Sequence, residues 1–264
     1  MDPKALDKAF AEHQGTVIDW ARQTGPSSVL RLKPYLKSTD REQRLLAIDA
    51  IIAAGGPELP DILMEAINDR DEQVRYNAAN ALYIHKPIGR HEDLQNHLVK
   101  NTDPIMRRHA ALLLGIIDPP KDSLHWLKHQ QKVETDREVT DAIIASRAKL
   151  GDGEARDEFG RLLIARSGPD IKELIDLSKY IDQPWVAKRL QPVLAKEEIA
   201  LDISSHRTKL TRRSCDLAID EIARLTGHEF SFPVTKTANY TLMQREEVRA
   251  FIDGWTPPAA TGAN

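Results

Sequence analysis

Residues 40–50 read D-R-E-Q-R-L-L-A-I-D-A, residues 71–81 read D-E-Q-V-R-Y-N-A-A-N-A, and residues 103–113 read D-P-I-M-R-R-H-A-A-L-L. In each, Arg follows Asp by four residues and Ala follows Arg by three; three further on stands Ala50, Ala81 or Leu113. A fourth copy, D-R-E-V-T-D-A-I-I-A-S at 136–146, has Thr140 for Arg and Ile143 for Ala. Asp40, Asp71, Asp103 and Asp136 therefore recur at a nearly constant interval, and four copies in phase point to duplication of one structural unit.

The +4, +7 and +10 positions share one face of a helix, so each copy predicts an amphipathic helix. Its Asp stands at the helix start, where a carboxylate accepts otherwise unpaired backbone N–H groups. Pro104 follows Asp103 at the first helical position, where a missing N–H costs nothing. Alanines at 47, 78 and 110, with Ala79 and Ala111 beside them, let neighbouring helices approach closely. The pattern predicts a structural ladder of Asp40, Arg44, Asp71, Arg75, Asp103 and Arg107, each arginine reaching the helix-start Asp of a neighbouring copy.

A second helix is predicted after each first one, at 58–68 behind A-G-G-P, at 91–100 behind K-P-I-G and at 121–132 behind D-P-P, with Gly and Pro falling mostly between periodic segments. Residues 27–37 supply the second helix of an incomplete copy begun by 5–23; Pro34 and Pro60 lie inside or near the start of their helices. The expected fold is therefore all-α, an α-α superhelix or solenoid of stacked antiparallel helix pairs. One domain is expected over 1–255, with 1–38 as an N-terminal capping repeat, 39–150 as regular repeats and 151–255 as divergent repeats with a C-terminal cap. Past residue 150 the agreement fades: 154–165 and 170–180 keep helical period, a weak copy starts at Asp182, 210–226 reads as one amphipathic helix ended by Gly227, 228–241 as extended, and 242–254 as a last helix. The Pro-, Ala-, Thr- and Gly-rich stretch 256–264 reads as a disordered tail.

Composition agrees. Of 264 residues 41% are hydrophobic and only 5% aromatic, so the core is built from Ala, Leu and Ile. With 37 Lys and Arg against 40 Asp and Glu the net charge is -3, which gives no general attraction to nucleic acid or anionic lipid. Cys215 is the sole cysteine, so neither an intrachain disulfide nor an all-cysteine metal site is available. No apolar run approaches the ~20 residues of a membrane-spanning helix. The start, M-D-P-K-A-L-D-K-A-F, has no apolar signal core, so the default location is cytoplasmic.

The D-x-x-x-R-x-x-A-x-x-A/L cores resemble HEAT repeats of the short type first recognised in phycobilin lyases and common in bacterial proteins of many roles. The resemblance is specific over roughly residues 27–150. C-D-L-A-I-D-E-I-A-R-L-T-G-H-E-F-S-F, followed by F-I-D-G-W, also resembles a terminal unit of some HEAT-like proteins, with Gly227, Phe230, Phe232 and Trp255 in matching places and His228 where a glutamine is usual. Such proteins include scaffolds, enzyme regulators, bilin-attachment enzymes and, in a related branch, DNA alkylation repair enzymes, so the resemblance implies a shape and leaves activity open.

The residues themselves carry little catalytic chemistry. His125 and His129 share a helix face, but Trp126 stands where a zinc protease needs its glutamate. His85, His91 and His97, evenly spaced at a period that is not helical, turn off a common face. No glycine-rich phosphate loop or nucleophile elbow is present: G-D-G-E at 151–154 and A-A-G-G-P at 53–57 read as connectors. Arg207, Lys209, Arg212 and Arg213, with Lys188 and Arg189, form a basic run that suits phosphates, yet Asp216, Asp220 and Glu221 follow it and no aromatics interleave. Arg108 is the one member of R-R-H at 107–109 left over by the ladder.

No catalytic residue, metal or cofactor is expected. The expected working surface is formed by the second helices and their neighbours: Tyr35, Glu65, Asn68, His97, Arg108, Trp126, His129 and Trp185. The leading expectation is a scaffold or regulator that binds another protein and has no chemistry of its own. Its rivals are an enzyme of bilin-lyase or base-excision type, for which Trp126, Asp122 and Arg108 would have to converge, and a nucleic-acid-binding module.

Overall fold

The computed structural model describes residues 1–117, 120–204 and 209–258, grouped in two compact units, Met1–Gln130 and Gln131–Asn264, where the sequence suggested one domain over 1–255. The fold is all-α, with one antiparallel two-stranded hairpin among the described residues. Asp118, Pro119, Arg207, the Lys209 side chain and 259–264 of the expected tail lie outside the described residues.

In the first unit the helices are α1 (Pro3–Ala11), α2 (Thr16–Thr24), α3 (Val29–Leu32), α4 (Arg41–Ala54), α5 (Leu59–Ala66), α6 (Glu72–Ile84), α7 (His91–Lys100), α8 (Pro104–Leu114) and α9 (Pro120–Gln131). The segment 5–23, expected to begin the incomplete copy, divides into two helices at His13, whose φ of 51° is left-handed. The segment expected at 27–37 is also broken. α3 is one turn long, flanked by 3-10 turns at Gly25–Ser28 and Lys33–Lys37. Pro26 and Pro34 explain this, because each lacks the N–H that an α ladder requires and restricts the residue before it.

Helices α4, α6 and α8, which carry the recurring pattern, lie side by side, α4 against α6 and α6 against α8. Ala47, Ala50, Ala78 and Ala111 are completely buried along them. The start of one helix contacts the start of the next: Arg41 Nε donates to Asp71 at 2.7 Å and Arg75 Nη2 to Asp103 at 2.8 Å, so the three run in the same direction. At each start the Asp carboxylate accepts backbone N–H bonds from its own helix, Asp40 from Glu42, Asp71 from Gln73 and Val74, and Asp103 from Ile105, at 2.9–3.2 Å. The turn behind α4 needs glycine: Gly56 has φ 113°, and a Cβ there would stand 2.9 Å from Pro26 Cβ.

The expected ladder is corrected in its register. The feature common to Arg44, Arg75 and Arg107 is a bond inside their own segment, Nη1 donating at 3.0 Å to the backbone carbonyl six residues earlier, Ser38, Asp69 or Asn101. The side chains of Ser38, Asp69 and Asn101 in turn accept the N–H of the helix-start Asp two residues on. Each arginine therefore clasps its own lead-in turn first. Arg44 does not reach Asp71; its guanidinium is buried against Asp69 at 3.0 Å, and Arg41 takes Asp71 instead. Arg75 both holds its own turn and bridges to the next helix start.

The second unit holds α10 (Arg137–Lys149), α11 (Gly153–Ala165), α12 (Pro169–Ile181), α13 (Trp185–Leu190), β1 (Ile199–Ser204), β2 (Lys209–Arg213), α14 (Ser214–Thr226) and α15 (Leu242–Gly254). α10 packs on α12, α12 on α14 and α11 on α13. Arg137 bridges to Asp170 at 2.7 Å, repeating between α10 and α12 the link that Arg41 makes from α4. Three lysines close helix ends by donating to unpaired carbonyls: Lys149 to Tyr180 and Ile181, Lys188 to Ile252 and Asp253, and Lys196 to Leu163, Ile164 and Arg166.

The helix expected at 210–226 starts later, at Ser214. Leu210–Arg213 instead pair with β1, with a bulge between Ile199 and Leu201. Ser214 N and Cys215 N donate back to the carbonyls of Glu198 and Lys196, so the hairpin is stitched to the helix it precedes. His228 stacks on Phe251 at 3.9 Å and Phe230 meets the same ring edge-on, closing the unit with aromatics.

Candidate binding surface

Helix α5 turns Leu59, Ile62 and Leu63 into the core, which leaves Asp61, Glu65 and Asn68, at spacings of four and three, on the opposite face. α7 buries Leu94 and Leu98 and turns Asp93, Asn96, His97 and Lys100 outward in the same way. Between these two faces runs a groove of about 530 Å³, which Glu65, Asn68 and His97 line together with Asp61, Arg90, Asp93 and Lys100. A second groove, about 730 Å³, lies on the other side of α5, against the Leu30–Thr39 stretch. Glu65 and Asn68 line both, so they form the ridge between them.

Arg90 spans the α5–α7 groove, with Nη2 2.6 Å from Asp61 and Nη1 3.2 Å from Asp93. All three side chains are exposed, so the bridge adds little stability and acts mainly to set the spacing of the two helices. Burial depresses the His97 imidazole below its ordinary value, against the opposing pull of the Asp93 carboxylate. Asn101 Nδ2 lies 3.3 Å from His97 Nδ1, which places the ring proton on Nε2 as a donor.

The structure thus brings Glu65, Asn68 and His97 together and deals differently with the other expected residues. Tyr35 is a packing residue. It stacks on Phe10 at 3.6 Å and donates to Asp7; burial and that carboxylate push its hydroxyl up to about 12. Arg108 is not free either: it belongs to α8, where its charge acts on Tyr83 and His109. Trp126 and His129 sit on α9, their rings 6.5 Å apart edge to face, with Trp126 exposed. Trp185, in the second unit, lies under the Arg156 guanidinium at 5.4 Å, and its buried Nε1 has no hydrogen-bond partner among the described residues. Arg90, Asp61 and Asp93 escaped the sequence reading, although Asp61 and Asp93 are separated by the same interval as the helix-start residues Asp71 and Asp103.

Among the described residues, no three or more His, Cys, Asp or Glu side chains are grouped to hold a metal, and no helix is long and apolar enough to cross a membrane. The described cations of the basic run are already committed: Arg189 to Asp157, Arg212 to Asp220, Arg213 to Asp216, and Lys188 to the end of α15. Cys215 is buried, and burial followed by the neighbouring Asp216 raises its thiol, the opposite of what a nucleophile needs. No protein-family model matches the chain, and no curated protein or solved structure is significantly similar to it.

Proposed function

We propose that this chain is a HEAT-like binding module without chemistry of its own, which holds a partner protein on the surface formed by α5, α7 and their neighbours. The observation that supports this reading is the pair of grooves flanking α5, whose shared ridge presents Glu65 and Asn68 with His97 across from them. Open grooves on either side of a helix suit an extended or helical segment, and the side chains at their rims offer hydrogen bonds rather than reactive groups. The neutralised basic run weighs against a nucleic-acid ligand in the second unit, since an arginine already paired to a carboxylate has no charge to spend on phosphate.

The test is affinity capture at physiological salt from a lysate of the source cells, with the wild type and the variant Glu65→Ala, Asn68→Ala, His97→Ala side by side. The reading expects at least one protein retained by the wild type and lost by the triple variant, with both chains equally helical and equally stable. Retention unchanged by the triple variant, or no retained protein, ends it.

A further inference from the structure

The larger groove has a chemical character of its own. Ile62 and Val74 are buried at its base, while Leu30 stands at its rim 79% exposed. A leucine that open to water beside a concavity of about 730 Å³ is an apolar surface without a cover. Around it, Lys33 is met by Glu58 and Arg44 by Asp69. Lys37 has no hydrogen bond or ion pair among the described residues, and Arg70 donates only to the backbone carbonyls of Ser38 and Thr39, at 3.3 and 2.8 Å. Among the described residues Glu65 is the one lining carboxylate not already paired, so the groove keeps a positive surplus around an apolar slot.

We propose that this groove takes an acidic, amphipathic segment of the partner protein, with one large apolar side chain inserted between Leu30 and Ile62 and carboxylates received by Lys37 and Arg70. The inference rests on the protein-binding reading above and names the chemistry of the occupant. A basic segment would face two cations that have no carboxylate to shield them. A neutral apolar segment would fill the slot and leave both cations uncompensated. An acidic segment satisfies them and gains orientation as well, because a guanidinium held by two backbone carbonyls presents its remaining N–H groups in a fixed direction.

The test uses the full chain, immobilised at physiological salt, and a random twelve-residue peptide display library as the probe. Enriched sequences are synthesised and their affinities measured against the wild type, Leu30→Asp, the double variant Lys37→Glu/Arg70→Glu, Asn96→Ala/His97→Ala in the other groove, and the control Asp19→Ala/Arg22→Ala on α2. The expected result is enrichment of peptides carrying one large apolar residue within a helical turn of two or more carboxylates. Their affinity should fall at least tenfold for Leu30→Asp and for the double variant, and stay within twofold for Asp19→Ala/Arg22→Ala, exposed on α2 away from both grooves. A peptide with its carboxylates exchanged for lysines should bind the double variant better than it binds the wild type. Peptides enriched for basic residues, or indifferent to Leu30, Lys37 and Arg70, overturn the inference. If such peptides instead depend on Asn96 and His97, the protein-binding reading stands and only the groove and its chemistry are wrong. Peptides indifferent to every groove substitution, or no enrichment, overturn both. All substituted side chains are at least partly exposed, and thermal unfolding of each variant identifies any loss that comes from misfolding.

Discussion

Arg75 Nη2 donates to Asp103 Oδ2 at 2.8 Å, joining the second turn of α6 to the residue that caps α8. Asp103 thus does two things: one oxygen accepts the N–H of Ile105 and the other holds the neighbouring helix. Asp103→Ala is expected to lower unfolding stability by about 1–2 kcal/mol. Asp103→Asn, which retains a capping oxygen but no charge, should recover at least half of that. Urea titrations of the two variants check the order; equal losses would show that the ion pair, not the cap, dominates.

Ala78 is completely buried where α6 faces its neighbours. There is no room for a longer side chain, so Ala78→Leu should destabilise by about 1–3 kcal/mol despite adding apolar surface. A Leu variant as stable as the wild type in thermal and urea unfolding would mean that the close approach of these helices has been misjudged.

His109 lies buried in α8, with Tyr83 Oη 2.9 Å from its Nδ1; burial, then the charge of Arg108, lowers its pKa from 6.5 to about 4. The folded state therefore disfavours the proton that the unfolded chain accepts near 6.5. Stability from this site is fully present above that value and is lost as pH falls toward 4, by up to about 3 kcal/mol. His109→Gln should flatten the dependence between pH 7 and 5, a window above most carboxylate titrations. Identical slopes for the two proteins in that window would remove His109 as the cause.

Arg212 is almost fully buried, and Asp220 Oδ2 lies 2.9 Å from its Nη2. Tyr240 donates to the other oxygen of Asp220 at 2.7 Å. Asp220→Ala strands a buried guanidinium and is expected to cost about 3–5 kcal/mol. Tyr240→Phe removes one hydrogen bond and should cost about 1 kcal/mol. Comparable losses for the two would point to Tyr240 packing rather than to the charge pair.

How much of this was legible depends on how local each determinant is. The aspartates at 40, 71 and 103 were readable as helix starts because a cap acts within three residues of itself. The partner of Arg44 was not. Asp69 and Asp71 are near neighbours in the chain, and a small rotation between them decides which carboxylate the guanidinium meets. Tyr35 looked like a surface aromatic because the ring that covers it, Phe10, lies far earlier in the chain, on a helix without the Asp-Arg-Ala core. The hairpin was hidden by its neighbour. Ile199, Leu201 and Ile203 alternate as a strand should, but the polar stretch that follows runs straight into the amphipathic period of α14, and helix and strand compete for Leu210–Arg213. Glu65, Asn68 and His97 were expected because helical spacing put them on second helices, which the HEAT-like resemblance implies form the working face, whereas Arg90 lies in a connector, where no period announces it.

The links from Arg41 to Asp71 and from Arg75 to Asp103 each run from one helix start to its counterpart about one period later. Excising the segment 71–102 would set Asp103 where Asp71 now stands, with Arg41 still there to meet it, and copying that same segment would insert one more joint of the existing sort. Either change would add or remove one period of the sequence pattern and remake, at the new seam, a link from an arginine to a helix-capping aspartate of the kind already present.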